Sequence, residues 1–202
     1  MKKLNYKFPL LVAALATVSL AVQAQGSSFY KQSYKSRNSG SFHKSDMLLS
    51  FAYGFPNTAL NDINTFAKYN AGFGPLYAKF EYGVRDEIGI GISLGAGGAG
   101  YKWNGYKGNG FAFATTIQAY YHFNKLIPVS KLDVYAGAGF SFVHRSYNDN
   151  VRNNGNSRDN DLNLVAVGLV GARWYFSPKF SVFAEVGNDA ISNTNIGVSF
   201  KL

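Results

Sequence analysis

Residues 88–95 read IGIGISLG. Ile88, Ile90, Ile92 and Leu94 fall on one face of an extended chain; Gly89, Gly91, Ser93 and Gly95 fall on the other. A period of two marks a β-strand. One of its faces is large and apolar, and the other is nearly bare. In a water-soluble barrel the apolar face points inward and the exterior carries many charges. Glycines cannot solvate an exterior, but they fit a crowded interior. The strand therefore belongs to a barrel turned inside out, with its apolar side chains toward lipid.

The same sense recurs along the chain. Met47, Leu49, Phe51, Tyr53 and Phe55 oppose Ser50, Ala52 and Gly54. Leu76, Phe80, Tyr82 and Val84 oppose Tyr77, Lys79, Glu81 and Arg85, and Phe180, Val182 and Val186 oppose Lys179, Ser181 and Glu185. Alternating segments run near 46–55, 75–84, 87–97, 110–123, 131–144, 162–176, 179–187 and 194–202. Each is long enough to cross a bilayer as a tilted strand of about nine to eleven residues. None has a 3.6-residue period. Strands cross a bilayer without unpaired backbone groups only as a closed barrel. The expected fold is all-β: an eight-stranded antiparallel up-and-down transmembrane β-barrel, preceded by a cleaved signal peptide and a short disordered leader.

The connections support this. VRDE, NKLIPVS and FSPK are short, whereas 56–74, 98–109 and 145–161 are long; by alternation the link near 188–193, though short, falls in the long, outward-facing set. In outer-membrane barrels the short turns are periplasmic and the long loops extracellular, which places both termini in the periplasm. Tyr121, Phe123, Trp174, Tyr175, Phe176 and Phe180 cluster at strand ends, as an interfacial girdle would.

Residues 1–24 begin with Lys2, Lys3 and Lys7, continue with an apolar run, and close on Val22-Gln23-Ala24. That is a secretory signal with cleavage expected between Ala24 and Gln25. The chain has no cysteine, so no disulfide and no lipoprotein anchor is expected. The net charge of +9 resides mostly outside the alternating region. Three cations leave with the signal. Lys31, Lys35, Arg37 and Lys44 lie in 25–45, a Ser-rich stretch without an acid, read as a flexible basic leader. The barrel, 46–202, carries about +2. Nucleic acid is not an expected partner of an exported chain.

The C-terminal NIGVSFKL resembles the assembly signal of bacterial outer-membrane proteins at Asn195, Gly197, Phe200 and Leu202, although Leu202 stands where a final aromatic is usual. KLDVYAGAGFSF (131–142) and GARWYFSPKFSVFAEVG (171–187) resemble the small eight-stranded outer-membrane barrels of the OmpA/OmpX-like "porin family" group, of the Bacteroidetes type. The resemblance spans 46–202. It implies the fold, an outer-membrane location in a Gram-negative envelope, and passage through the barrel assembly machinery. It implies little about activity, because such a family shares an architecture rather than a chemistry.

Candidate sites are few. GAGGAG (95–100) fits a dinucleotide fingerprint, but YKWNGYKGNG after it cannot open a helix. His43, His122 and His144 show no metal spacing, and no metal or cofactor is expected. His144 with Ser141 or Ser146 and Asp149 forms a hydrolytic set on paper only. Parity sends Lys79, Glu81, Arg85, Gln118, Asp133, Arg173, Lys179 and Glu185 into the lumen, with Tyr77, Tyr120 and Tyr135. Arg173 and Glu185 are diagonal neighbours on adjacent strands. An eight-stranded barrel is wide enough only to be filled by side chains. The expected role is structural or interactive: no enzyme, a plugged lumen, and loops 56–74, 98–109 and 145–161 presented to an extracellular ligand or resting on lipopolysaccharide. The alternatives are a narrow porin-like channel for ions or small solutes and, behind it, a lipid-modifying enzyme. A monomer is expected, since closure leaves no free strand edge.

Overall fold

The computed structural model describes residues 41–59, 68–103, 106–127, 129–149 and 157–202. The expected signal peptide, the leader before Ser41 and parts of all three long loops lie outside them. The described chain forms eight strands: β1 (Met47–Phe55), β2 (Lys68–Gly83), β3 (Ile88–Trp103), β4 (Tyr106–His122), β5 (Leu132–Asp149), β6 (Ser157–Ser177), β7 (Phe180–Asn188) and β8 (Thr194–Lys201). Each pairs antiparallel with the next, and β8 pairs with β1, so the sheet is a closed barrel. Leu49 lies opposite Phe80 on one side and Phe200 on the other. The Leu202 amide donates to Met47 O at 2.9 Å, carrying the seam to the final residue.

The side-chain parity is the one expected of a barrel in lipid. Ile90 is 52% exposed, Ile117 63% and Phe140 59%, while Ser50, Lys79, Ser93, Thr116, Gln118 and Ser141 are buried. Water does not tolerate such a continuous apolar belt on a monomer; hydrocarbon does. Inside, three lumen tyrosines face glycines across the ladder. Tyr77 is opposite Gly95, Tyr120 opposite Gly137, and Tyr135 opposite Gly171. A Cβ at Gly95 would lie 2.7 Å from the Tyr77 ring, and one at Gly171 would lie 2.6 Å from Tyr135. The small residues of the lumen face are therefore the space into which its large residues fit.

Three expectations change. First, much of what reads as long loop is strand. β3 and β4 run on to the Trp103–Tyr106 pair, and β5 and β6 to the Asp149–Ser157 pair. The pairing of β1 with β2 stops at Leu76, and that of β6 with β7 starts at Gly168. β2–β6 thus extend past β1, β7 and β8 at the end away from the short turns, called here the far end. Second, residues 41–45, read as leader, pack against the opposite, near end. Ser45 N donates to Gly83 O at 2.7 Å, and Asn124 Nδ2 donates to Phe42 O at 2.9 Å. Third, Tyr175 is buried, facing inward with Arg173, and is no part of an outer girdle. The other girdle aromatics do cluster: Tyr121 meets Phe123 edge-on at 5.2 Å, and the Phe180 ring lies 5.4 Å from Phe200.

Replacing Ile92, half-exposed midway along β3, by lysine would set a charge in the apolar belt. We expect it to destabilise the folded barrel in bilayers by roughly 2–4 kcal/mol, measured as a shift in the urea midpoint of refolding into vesicles. An unshifted midpoint would mean that this face meets water.

Candidate functional site in the lumen

Six of the eight lumen residues expected from parity are buried inside the barrel: Lys79, Glu81, Gln118, Asp133, Arg173 and Glu185. Arg85 and Lys179 are not. Both are exposed, because they sit in the β2–β3 and β6–β7 turns, where the strand period no longer holds. Charges deep inside a narrow barrel need partners, and each has them.

Nearest the short turns, four side chains close a ring. His122 Nδ1 lies 2.8 Å from Asp133 Oδ1, and His122 Nε2 lies 2.7 Å from Glu81 Oε1. Arg173 Nη1 donates to Asp133 Oδ2 at 3.0 Å and Nη2 to Glu81 Oε2 at 3.2 Å. Carboxylates only accept, so the imidazole donates to both at once only as the imidazolium. The Arg173 guanidinium also covers the Tyr135 ring, 4.7 Å from its centroid. Phe42 seals this layer from the near end, stacked on His122 with centroids 3.7 Å apart.

Farther along the lumen, Lys79 Nζ donates to Glu185 Oε2 at 2.6 Å and to Asp189 Oδ2 at 2.7 Å. Asn195 Nδ2 bridges the same two oxygens at 3.2 and 2.6 Å, and Tyr135 OH donates to Glu185 Oε1 at 2.9 Å. Arg173 and Glu185 are diagonal in register, as expected, yet each takes a different ionic partner. Arg173 turns toward β5 and β2, where two carboxylates fit its planar fork.

Asp189 belongs to the 188–193 link, expected to face outward. It folds into the barrel instead. Asp189, Ala190, Ile191 and Ser192 are all buried, and the Tyr77 hydroxyl lies 2.8 Å from both Asp189 O and Ser192 Oγ. Ile191 packs with Ala52, Ala59, Ala112, Ala114 and Phe183, which forms an apolar layer toward the far end. Asp189 and Ser192 gave no signal in the sequence, since a link obeys no period. His122 did: it shares parity with Gln118 and Tyr120.

The hydrolytic set is separated only in part. Ser141 is buried and bonded to Thr116, whereas His144 is exposed on the opposite face of β5; Ser146 shares the face of His144. The glycine run 95–100 lies wholly within β3, with no helix after it. Asn195 of the C-terminal motif points into the lumen, while Phe200 and Leu202 point out. Among the described residues, no three His, Asp or Glu side chains are placed to hold a metal ion.

No family model and no curated protein sequence matches this chain. Solved structures do. OprG from Pseudomonas aeruginosa is 11% identical, with a TM-score of 0.50 over 81% of this chain and 98% of that one. The fold is that of a small outer-membrane barrel. The N-terminal barrel of OprF from Pseudomonas aeruginosa (17% identity, TM-score 0.48, 79% of this chain and 99% of that) and Neisserial surface protein A (14%, 0.48, 78% and 97%) were also found. At such identities only the architecture is shared.

Two outcomes follow from this geometry. Lys79→Met would leave Glu185 and Asp189 facing each other without a cation. We expect a loss of about 3–5 kcal/mol, read from the urea midpoint, and substantial recovery in Lys79→Met with Glu185→Gln and Asp189→Asn. Failure of the triple variant to recover would mean that lysine packing, not charge, matters here. The second outcome concerns Asp46, at the foot of β1. Burial alone would raise its pKa, but the His43 side chain, the Lys201 ammonium 2.7 Å from Oδ2 and the His43 amide, also at 2.7 Å, hold it below the ordinary carboxylate value. A depressed folded value stabilises docking above the unfolded pKa and is lost as pH falls through the folded one. Hydrogen-exchange protection of residues 43–46 should therefore fall on acidification below the carboxylate range, and Asp46→Asn should lower it already at neutral pH.

Proposed function

We propose that this protein is an integral outer-membrane barrel with a structural and display role, and that its lumen is closed. One observation carries the reading: the interior is filled in successive layers. Phe42 and its strap stand at the near end, the two ion-pair layers in the middle, and Ile191 with Ala59 toward the far end. A conducting pore needs a continuous wet path, and these layers argue against one.

The extension of β2–β6 beyond the remaining strands supports display. It turns the expected loops into a stiff, partly strand-built platform. Phe73 and Phe111 stack on its outer surface with centroids 6.3 Å apart and both half-exposed. Rigid aromatics make good contacts at low entropic cost. Lipopolysaccharide around the platform, the assembly machinery during biogenesis, and an extracellular ligand at the platform are the partners this reading implies. We read the protein as no enzyme. The alternative with some support is a narrow ion path, because the lumen ion pairs are the sort of contacts that can exchange partners.

Planar-bilayer recordings of the refolded chain separate the two. We expect no stepwise currents. Reproducible unitary steps, altered by Lys79→Met, would establish the channel instead.

A further inference from the structure

The link between β7 and β8 turns into the lumen as a self-contained unit. Its backbone bonds are mostly its own. Asp189 N donates to Ser192 O at 3.0 Å, Ile191 N to Asp189 O at 2.7 Å, and Gly187 N to Asn193 O at 2.8 Å. Thr58 N, which donates to Ile191 O at 3.0 Å, ties it to the segment after β1. Side chains hold the rest. Lys79 Nζ and Asn195 Nδ2 donate to Asp189 Oδ2 at 2.7 and 2.6 Å, and the Tyr77 hydroxyl donates to Asp189 O at 2.8 Å. Ile191, wholly buried, packs with Ala52, Ala112 and Ala114. The wall leaves room for this unit. A Cβ at Gly54 would lie 2.7 Å from Ser192, and one at Gly95 would lie 3.3 Å from the tip of Ile191. The link fits its seat with two defects. Ala190 is held at φ +62°, a left-handed backbone that a Cβ disfavours. Asp189 Oδ1 is buried with no hydrogen-bond partner among the described residues, a costly state for a carboxylate oxygen.

We propose that this seat is a binding site for a small carboxylate with a short branched apolar tail, and that the link is its built-in competitor. The two ends of the seat set the ligand class. At one end an ammonium, a carboxamide and a phenol all donate to Asp189, as they would to the oxygens of a bound carboxylate. At the other, alanines surround one branched aliphatic side chain, the space a tail of that size fills. A ligand that brings its own carboxylate to Lys79 replaces Asp189 without stranding the ammonium. The link then swings out, which relieves Ala190 and gives Asp189 Oδ1 to water. Both defects of the seated link therefore favour the exchange. The Arg173 layer lies on the near side of Lys79 and stays closed, so the site is blind and opens to the far end alone. It does not rest on the display reading.

The chain has no cysteine, so one introduced thiol reports on the link. Ser192→Cys is labelled in the full refolded chain with a water-soluble maleimide. The probe is isovalerate, and 3-methylbutan-1-ol, the same skeleton without the charge, is the control. We expect slow labelling that isovalerate accelerates in proportion to one plus its concentration over Kd, about fivefold at about four times Kd. The alcohol should leave the rate unchanged. Ser50→Cys, opposite Lys79 in the wall, should stay unlabelled throughout. Asp189→Asn added to Ser192→Cys should speed labelling without probe by at least about tenfold, because two charge-assisted bonds to the link weaken. A faster-running unboiled band confirms that each variant is folded, and Ile191→Cys serves as reporter if Ser192→Cys lacks that band. Labelling of the link no faster than that of Ser50→Cys would show a permanent part of the wall. Equal acceleration by the alcohol would show an apolar hole without carboxylate recognition. A rate indifferent to both compounds would show a link that opens without a ligand. Each of these three results refutes the proposal.

Discussion

Everything in this molecule depends on one constraint: within hydrocarbon, each backbone N–H and C=O must find its partner inside the protein. A sheet meets that condition only when its first and last strands join. The β8–β1 ladder, which runs from Phe55–Thr194 to Leu48–Lys201, is therefore as necessary as any hairpin, although its strands are the farthest apart in sequence. The alternation over 195–201 follows from the same pairing. A frayed edge that water would tolerate is expensive in lipid.

Closure with eight strands then dictates the interior. The circumference is small, so most large lumen side chains lie opposite a small one, with His122 opposite Tyr135 and Arg173 opposite Phe183 as exceptions. The chain answers with glycine beside Tyr77, Tyr120 and Tyr135 and with serine or threonine pairs such as Ser50–Ser199 and Thr116–Ser141, 2.7 and 2.9 Å apart. The remaining volume holds charges, and these are stabilised only because each lies against its opposite. The exterior follows the reverse rule, with bulky apolar groups and almost no charge between the aromatic ends.

Most of this was legible in residues. The strands of the apolar belt declare themselves because one face meets lipid and the other a packed lumen, which enforces a strict period of two. Reading fails where that contrast ends. Beyond the belt, RSYND at 145–149 and SRDND at 157–161 are polar on both faces, so strand and loop look alike. Arg85 and Lys179 were sent inward by extending a parity past the last ladder residue. The folded-in link 188–193 has no period at all, and its inward turn depends on tertiary contacts with Tyr77 and Lys79 that no local pattern announces. Tyr175 is different: its parity with Arg173 was readable, and its proximity to Trp174 and Phe176 drew it into the wrong group.

The lumen contacts also decide how the barrel can come apart. Neighbouring strands are joined by ladders, but the ionic layers join strands that are not neighbours. Lys79 of β2 reaches Glu185 of β7, and Glu81 of β2 reaches His122 of β4 and Arg173 of β6. These ties act like spokes across a wheel. A hairpin cannot peel from the wall without breaking a spoke and stranding a charge in the centre. The barrel should hold or fail as a unit, with rigidity distributed around its whole rim rather than concentrated at its seam.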